Sequence, residues 1–328
     1  MSGAPRPSVS VVLPTFQNEA TLPAALASLA MQRYDGEVRV LCIDGGSSDR
    51  TREIAAEHGA EVIDNPLRNE EEARALGLEA AGGDLVLLLD ADNELVGEDW
   101  LARLVAAVGI APDAVSADCL FHAWRPSDPP VTRLCALIGG TDPLAIDLGW
   151  ADRWAHHRGR WTGFDVEVGE AGDVLLVRID ADRPPPMGSN GFLVEREPLA
   201  ATQYRPFVHS DVVGDLAEAG YRFARVPQGV VHHYAPTVRL YARKAIRRAR
   251  RTVSGEPPQR RGLSVGRRAL AGRVLYAVTL AGPIRDAIRG NRVHPDRAWA
   301  LLPLLYLITV GAYGIETVRG LIRKDQGA

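Results

Sequence analysis

The sequence predicts an α/β fold with a mostly parallel sheet, flanking helices, and a C-terminal helical appendage that is both basic and apolar. Short apolar runs alternate with helix-spaced segments over the first hundred or so residues, and this alternation predicts the sheet. The uneven distribution of charge along the chain predicts the C-terminal appendage. Residues 1–238 carry 19 Lys and Arg against 36 Asp and Glu, a net charge of −17, whereas residues 239–328 carry 19 against 5, a net charge of +14.

The individual elements follow from local patterns. Short apolar runs bounded by polar residues, proline or glycine predict strands at 9–13, 37–43, 60–63 and 85–89. Apolar residues at helical spacing predict helices at 20–31, 49–58, 70–81 and 99–108. Strands alternating with helices imply parallel pairing. Further along, a helix is expected at 211–220 and two short strands at 223–226 and 230–232.

The most informative stretch is the apolar run 85–89, which is followed directly by Asp90, Ala91 and Asp92. The carboxyl ends of parallel strands open onto the binding crevice, so both carboxylates should lie at that edge. Two carboxylates there suit a divalent cation and a phosphate ligand. Asp is also common in turns, so a simple turn before the next helix is the alternative.

Two earlier strand ends carry polar turns. Pro14 to Glu19 joins the first strand to the first helix, where backbone amides favour an anionic ligand. In the second turn, Asp44 can accept hydrogen bonds from a base or ribose, and Gly45 and Gly46 allow close backbone approach. Neither turn has the GxGxxG or Walker pattern. Ordinary helix capping by Asn18 is the alternative role of the first turn.

Together these motifs resemble family 2 glycosyltransferases, whose fold is GT-A (Rossmann-like). The resemblance covers about the first hundred residues and rests on four segments: Pro14 to Glu19, Asp44 to Thr51, Ala73-Arg74 ahead of Ala80 to Asp84, and Leu89 to Asp92. It implies an inverting, metal-dependent transferase that uses a UDP- or GDP-sugar, with Mn²⁺ or Mg²⁺ as cofactor. Gln259-Arg260-Arg261 lacks the tryptophan of a processive synthase, so transfer of one sugar is expected.

The resemblance assigns roles in the first half of the chain. Asp44 is expected to contact the base, Arg74 to approach the nucleotide or its phosphates, Asp90 to face the ribose or sugar, and Asp92 to bind the metal. The expected donor-binding residues are Pro14, Thr15, Glu19, Asp44, Gly45, Gly46, Arg74, Asp90 and Ala91.

The second half resembles the family more loosely. Asp211 matches the family's catalytic base, although Ser210 replaces the usual glutamate before it. An ordinary position near a helix N-terminus is the alternative for Asp211. His232 is expected near the metal, with His233 as its alternative. The segment expected on the acceptor side consists of Gly188, Ser189, Asn190 and Gly191.

These assignments predict a GT-A domain over residues 1–236, in which 1–100 form the nucleotide-binding half and 101–236 the acceptor-side half. Residues 237–328 are expected to form a membrane-associating helical region. Within that region, 298–315 is about the minimum length for a bilayer span, and it could span, lie in the interface, or pack as a hairpin with 269–284.

The cationic run Arg239 to Arg251 predicts contact with an anionic membrane surface. Nucleic acid is not expected as a partner, because no recognised nucleic-acid module accompanies the charges. A solvated basic helix or a homo-oligomer interface formed by the C-terminal helices is the alternative.

The sequence therefore predicts a glycosyltransferase of cell envelope polysaccharide biosynthesis on the cytoplasmic side of the membrane. Its expected acceptor is a lipid-linked or membrane-proximal glycan. No secretion signal is expected, because residues 1–7 lack an apolar core. Two alternatives remain open: a membrane-anchored nucleotide-sugar-binding scaffold on an inactive GT-A frame, and a sugar nucleotidyltransferase, whose glycine-rich, lysine-bearing loop is absent.

Overall fold

The central feature is one ten-stranded β-sheet, seen in a computed structural model that describes residues 6–256, 258–261 and 267–326. The strands are β1 (Val9–Thr15), β2 (Val38–Asp44), β3 (Glu61–Asp64), β4 (Leu85–Leu88), β5 (Asn93–Leu95), β6 (Ala114–Ala123), β7 (Glu167–Ala171), β8 (Val174–Arg178), β9 (Phe192–Glu195) and β10 (Arg222–His232). Their order is β3-β2-β1-β4-β9-β6-β10-β8-β7, and β5 pairs with β10.

Twelve helices are described, together with a 3-10 helix at Arg297–Leu301. They are α1 (Leu22–Ala30), α2 (Thr51–Glu57), α3 (Glu70–Ala80), α4 (Trp100–Ala107), α5 (Pro130–Ile138), α6 (Pro143–Asp147), α7 (Arg196–Ala200), α8 (His209–Glu218), α9 (Val238–Ser254), α10 (Arg267–Val278), α11 (Ala281–Val293) and α12 (Leu302–Gln326).

The four strands β3, β2, β1 and β4 are parallel, as the alternating pattern predicts. Every residue of β4 is buried, which explains its unbroken apolar sequence, because strands covered on both faces have no polar side. In this register Thr15 lies opposite Asp44, and Asp44 lies opposite Asp64. The sheet therefore lines up polar side chains along the carboxyl edge of its parallel half.

Beyond β4 the described strand pairs are antiparallel: β4 with β9, β9 with β6, and β10 with both β8 and β5. The predicted α/β class is confirmed, and the parallel part of the mixed sheet is the half that carries the predicted turns. The pairing of β10 with β5 places His232 opposite Asn93, next to the Asp90 to Asp92 turn.

The chain divides into two compact units. The first, called the sheet unit here, comprises Met1–Phe121 and Val166–His233; the second, the helical unit, comprises His122–Asp165 and Tyr234–Ala328. The last passage of the chain from the sheet unit to the helical unit lies between residues 233 and 234, close to the expected domain boundary between residues 236 and 237. The segment 122–165, which the sequence assigned to the acceptor-side half, packs with the C-terminal region instead.

The helical unit has its own apolar core, built around Trp299, Tyr241 and Tyr306. Helix α9 begins at the cap residue Thr237, whose hydroxyl accepts a hydrogen bond from the Leu240 amide at 3.2 Å. The helix ends at Gly255, which has a left-handed φ of 70°. Thus the cationic run forms one continuous helix that belongs to a packed unit.

Three local expectations need correction. The strands expected at 223–226 and 230–232 form one strand, β10, which continues through Pro227; its first part pairs with β8 and its last part with β5. Helix α8 begins at His209, two residues earlier than expected. The apolar stretch 269–284 is divided between α10 and α11, with Leu280 in a left-handed conformation before α11.

Candidate functional site

The first two polar turns are joined to each other by hydrogen bonds from backbone and side chains. The Gln17 amide donates to Ser47 Oγ at 2.9 Å, and the Asn18 amide donates to Thr51 Oγ1 at 2.7 Å. Gln17 itself has a positive φ of 55°, which is uncommon outside glycine. The two strand ends therefore form one cross-linked rim.

Asp44 lies at the centre of this rim, and its side chain is fully buried. It accepts five hydrogen bonds, from Thr15 Oγ1, the Gly46 amide, the Ser47 amide and hydroxyl, and Arg52 Nη1. Burial acts to raise the pKa of Asp44, but the hydrogen bonds from Ser47, Arg52 and Thr15 outweigh it and lower the pKa. The carboxylate is thus held ionised by the protein itself, and its expected contact with a base stays a prediction.

The other expected residues of the rim lie in the same turns. Pro14 is opposite Ile43 in the β1–β2 register, and Gly46 has a φ of 82°, a conformation that favours glycine. Glu19 accepts a hydrogen bond from the Arg50 amide at 3.2 Å and so caps the start of α2. The rim is organised by its own contacts, and binding of a nucleotide there stays a prediction.

Arg74 and Asp90 form a buried ion pair, with Arg74 Nη2 donating to Asp90 Oδ1 at 2.7 Å. The Arg74 side chain is 3% exposed and that of Asp90 is 28% exposed. Gly77 makes this placement possible: a Cβ there would lie 2.2 Å from Val12 Cγ1, so only glycine lets α3 approach β1 this closely. The structure thus brings together two of the residues expected at the donor.

Asp92 and His232 also meet, with Asp92 Oδ1 and His232 Nε2 3.3 Å apart. Two ligand atoms at adjacent positions around one cation, each about 2.1 Å from it, lie about 3 Å apart. The observed separation therefore fits a shared divalent cation. The neighbouring His233 turns to Glu94, with Nε2 2.9 Å from Glu94 Oε2. His232 is thus the histidine beside the expected metal ligand.

Within residues 6–256, 258–261 and 267–326, no group of three or more His, Cys, Asp and Glu side chains is arranged to hold a metal ion. Mg²⁺ is commonly held by one or two carboxylates together with substrate phosphates, so a metal site at Asp92 and His232 would need further ligands from the substrate, and it stays a prediction. Ala91, between the two aspartates, is buried, and its expected role at the donor stays a prediction.

Asp211, the expected general base, lies in the first turn of α8 and is 3% exposed. Its role stays a prediction. Two residues earlier, His209 is a candidate site residue that the sequence motifs do not predict. Its Nδ1 is buried without a hydrogen-bond partner among the described residues. Burial and the positive charge of Arg74 lower the pKa of His209, whereas Asp90 and Glu70 act to raise it.

The segment expected on the acceptor side passes between α8 and the end of β4. Gly188, Asn190 and Gly191 all have positive φ, at 101°, 54° and 96°. A Cβ at Gly188 would lie 2.9 Å from the His209 Cβ, and the Gly191 amide donates to the Leu88 carbonyl at 3.0 Å. Ser189, between them, is buried. This loop therefore adjoins both His209 and the strand that carries Asp90.

The comparisons with known proteins concern mainly the first part of the chain. Residues 10–132 match the family model for glycosyl transferase family 2. An uncharacterized glycosyltransferase of Mycobacterium tuberculosis (strain ATCC 25618 / H37Rv) is 36% identical over 109 residues, which are 33% of this chain and 47% of the relative. A PGL/p-HBAD biosynthesis glycosyltransferase of the same strain is 33% identical over 109 residues, or 31% of this chain and 42% of the relative.

The chain thus spans under half the length of these curated relatives. Among solved structures, the mannosyltransferase PcManGT from Pyrobaculum calidifontis, in complex with GDP-Man and Mn²⁺, matches 97% of this chain and 90% of its own. The identity is 17% and the TM-score 0.56, so this likeness concerns the fold.

Proposed function

We propose that this chain, whose residues 10–132 belong to glycosyl transferase family 2, transfers one sugar from a UDP- or GDP-linked donor, with inversion at the anomeric carbon. The observation that carries the proposal is the 3.3 Å contact between Asp92 and His232. Asp92 lies two residues after Asp90, which pairs with Arg74. Because the family is matched and the expected donor-end residues are adjacent, nucleotide-sugar chemistry explains the cluster better than a simple turn does.

Asp92 and His232 would hold the divalent cation, Mn²⁺ or Mg²⁺. When bound, the cation supplies electrostatic stabilisation of the charge that develops on the leaving diphosphate. Arg74 neutralises Asp90 and fixes the direction of its carboxylate, and this leaves Asp90 Oδ2 to accept a hydrogen bond from a ribose or sugar hydroxyl. The protein's own residues thus orient the donor and place its leaving group.

Asp211 is the proposed general base. Transfer requires that the acceptor hydroxyl lose its proton as it attacks, and a carboxylate within hydrogen-bond reach contributes about 10²- to 10⁴-fold. The supporting observations are its place at the start of α8 and the neighbouring loop from Gly188 to Gly191. Attack opposite the leaving group would invert the configuration at the anomeric carbon.

The proposed acceptor is a lipid-linked or membrane-proximal glycan, and its support comes from the surface of the helical unit. Large apolar side chains are exposed on α10, α11 and α12; they are Leu270, Leu275, Val278, Ile284, Ile288, Val293, Leu304, Leu307, Ile315, Val318, Leu321 and Ile322. Soluble proteins rarely expose large contiguous apolar patches, so the number of these exposed side chains on three consecutive helices supports membrane contact.

Helix α9 adds charge to that surface. Its buried face consists of Tyr241, Ala245 and Ala249. Its exposed face carries basic residues at helical spacing, with Ile246 and Val253 exposed among them; these basic residues are Arg239, Arg243, Arg247 and Arg250. Arginines and apolar side chains on one exposed helix face are typical of helices that lie in the interface of an anionic membrane.

The segment Arg297–Ile322 is long and apolar enough to cross a membrane by length and composition, but 39% of its apolar window is buried within the protein. One face of α12 packs into the helical core, and Glu316 on that face pairs with Arg250 of the cationic helix at 3.3 Å. A lipid-surrounded span could not keep a cationic helix along its side. We therefore favour an interfacial position on the cytoplasmic side of the membrane over a span.

The function is tested by screening UDP- and GDP-sugars, beginning with GDP-mannose and UDP-glucose, for Mn²⁺- or Mg²⁺-dependent release of the nucleoside diphosphate. Asp211→Asn should lower transfer to an acceptor at least about 100-fold without changing donor affinity, because it removes only the proton acceptor. The matched control is Asp215→Asn, one turn further along α8, which should keep the wild-type rate. Donor binding without release or transfer across an acceptor panel would instead support a scaffold.

The membrane surface is tested by sedimentation with phosphatidylcholine vesicles that contain or lack phosphatidylglycerol. We expect binding only to the anionic vesicles, and Arg243→Gln or Arg247→Gln should each weaken it about fivefold, since each charge near the surface is worth about 1 kcal/mol. Arg33→Gln, at an exposed arginine of the sheet unit, is the control. Equal binding to both vesicles, or a stable dimer with no vesicle binding, would refute the proposal.

A further inference from the structure

An exposed arginine, Arg68, lies at the rim around Asp44, in the loop between β3 and α3. Arg68 makes no ion pair and no side-chain hydrogen bond with any residue that the structure describes. Two other arginines of the rim are already engaged. Arg52 pairs with Asp44 at 3.2 Å, and Arg50 pairs with Glu53 at 2.9 Å. Of these three arginines, Arg68 is the one that can bind a ligand without breaking a protein contact.

The Arg68 side chain lies against the glycine pair that follows Asp44. Its Cα lies 3.6 Å from the position that a Cβ on Gly45 would occupy. A Cβ on Gly46 would lie 3.5 Å from both Arg68 Nε and Arg68 Nη2, and 3.6 Å from Arg68 Cζ. Because these three distances are nearly equal, the guanidinium turns a flat face toward Gly46. Its N–H groups lie at the edges of that plane, where they can donate to a ligand.

The same glycine pair contacts an exposed aromatic ring. A Cβ on Gly45 would lie 3.4 Å from Phe16 Cδ2, and Phe16 is 54% exposed. The Phe16 amide donates to Asn18 Oδ1 at 2.8 Å, which fixes the backbone that carries the ring. Aromatic rings stack on the faces of nucleobases, and arginine donates to acceptors at their edges. Phe16 and Arg68 thus bring to one glycine pair the two kinds of group that suit a nucleobase.

The Asp44 carboxylate itself has little capacity left for a ligand. Its two oxygens offer about four lone-pair sites, and the protein already supplies five hydrogen bonds to them. The side chain is also fully buried. The exposed guanidinium of Arg68 is therefore better placed than Asp44 to distinguish one base from another.

The donors of Arg68 select one class of base. A guanidinium only donates, and two of its parallel N–H groups match two adjacent acceptors. Guanine presents such a pair, O6 and N7, along one edge. Adenine presents N7 beside a donating amino group. In uracil, the two carbonyl oxygens are separated by the N3–H donor, so uracil offers no adjacent pair either.

We propose that Arg68 binds O6 and N7 of a guanine base, and that the nucleotide-sugar donor is therefore a GDP-sugar. This inference rests on the proposed function and deepens it, because it chooses between the two donor classes. Arg68 is a specificity-determining residue in this arrangement: it touches the base, and other residues act on the diphosphate and the sugar.

The test measures the Kd of nucleoside diphosphates by calorimetry in the presence of Mn²⁺, so it does not depend on turnover. Wild type should bind GDP about 5- to 150-fold more tightly than UDP, the range expected from one bidentate contact with a base. Inosine diphosphate keeps O6 and N7 and should bind as GDP does. The 7-deaza analogue of GDP lacks N7 and should bind at least about fivefold more weakly than GDP.

Variants of Arg68 separate the shape of the guanidinium from its charge. Arg68→Gln should remove both the preference for GDP over UDP and the penalty for the 7-deaza analogue. Arg68→Lys keeps the charge but loses the parallel donors, so it should also lose both effects. The matched control is Arg50→Gln, because the Arg50 guanidinium is already paired with Glu53. This control should keep the wild-type ratio of the two Kd values.

Three results would overturn the assignment of guanine while leaving the proposed function in place. They are equal affinity for GDP and UDP, tighter binding of UDP, and an Arg68→Gln variant that keeps the wild-type ratio. The third is expected if Arg68 serves only as a charge near the diphosphate, because its loss would then weaken GDP and UDP alike. If wild type binds no nucleoside diphosphate and releases none from any donor, the proposed function falls, and the assignment falls with it.

Discussion

Asp44 and Asp92 both follow parallel strands at the same edge of the sheet, yet the protein uses them differently. Asp44 is fully buried and accepts five hydrogen bonds from its own turns and from Arg52. The Asp92 side chain is 17% exposed and meets His232 across 3.3 Å. A carboxylate surrounded by protein donors stabilises the rim, whereas one beside an imidazole at a partly open edge suits a cation. An aspartate at the end of a parallel strand therefore indicates only that its side chain lies at the binding edge of the sheet. Its role depends on the side chains around it.

The largest expected difference between the two aspartates is the loss of transferase activity when Asp92 is replaced. Asp92→Ala removes one of two expected cation ligands, so kcat should fall at least about 1,000-fold, as expected when stabilisation of a developing charge is lost. Nucleoside diphosphate release measures the rate, and Mn²⁺ titration by calorimetry measures the ligand loss.

The matched control is Asp64→Ala, at the end of the neighbouring strand β3. That side chain is 80% exposed and pairs with Arg52, away from Asp92. It should change activity less than about threefold. If Asp92→Ala binds Mn²⁺ with wild-type affinity and turns over normally, the cation site is wrong and Asp92 is a turn residue after all.

The next effect concerns stability at Asp44. Asp44→Ala leaves the Thr15 and Ser47 hydroxyls, two amides and a guanidinium without their acceptor, so unfolding free energy should fall by about 3 kcal/mol. Urea unfolding followed by circular dichroism measures it. Asp92→Ala in the same assay should change stability by less than about 1 kcal/mol, because its side chain is 17% exposed to solvent and a group that water can reach loses less when it is removed.

The pH dependence of stability provides an independent check on Asp44. Its pKa is lower in the folded chain, against burial, through hydrogen bonds from Ser47, Arg52 and Thr15. The unfolded chain therefore takes up this proton first, and the stabilisation is fully present above the ordinary value of 3.8 and is lost as pH falls through the lower folded pKa. Wild type should lose more stability below pH 3.8 than Asp44→Asn does. Parallel pH curves would show that Asp44 is not held as described.

The sequence predicts the parallel half of the fold well, because β1, β2, β3 and β4 each keep a local apolar signature. It predicts the meeting of Asp92 and His232 through family resemblance, since nothing local says that β10 pairs with β5. The structural role of Asp44 could not be predicted, because it depends on contacts between segments 29 residues apart. Nor could the burial of Arg74 Nη1 and His209 Nδ1 without hydrogen-bond partners among the described residues, because burial depends on how distant segments pack. The continuity of β10 across Pro227 could not be predicted either, because its pairing with β5 and β8 involves segments far away in the sequence.

The smallest effect separates the two histidines next to this edge. His232→Ala removes a neighbour of Asp92 and should lower Mn²⁺ affinity and kcat/KM by about 10- to 100-fold, the range seen when a residue that supports a metal site is lost. His233→Ala breaks only the contact with Glu94 and should stay within about threefold. The two residues share a strand end and point to opposite sides, so each is the control for the other. If His233→Ala lowered Mn²⁺ affinity and kcat/KM more than His232→Ala does, the cation would have to bind beside Glu94. The contact between Asp92 and His232 would then be structural.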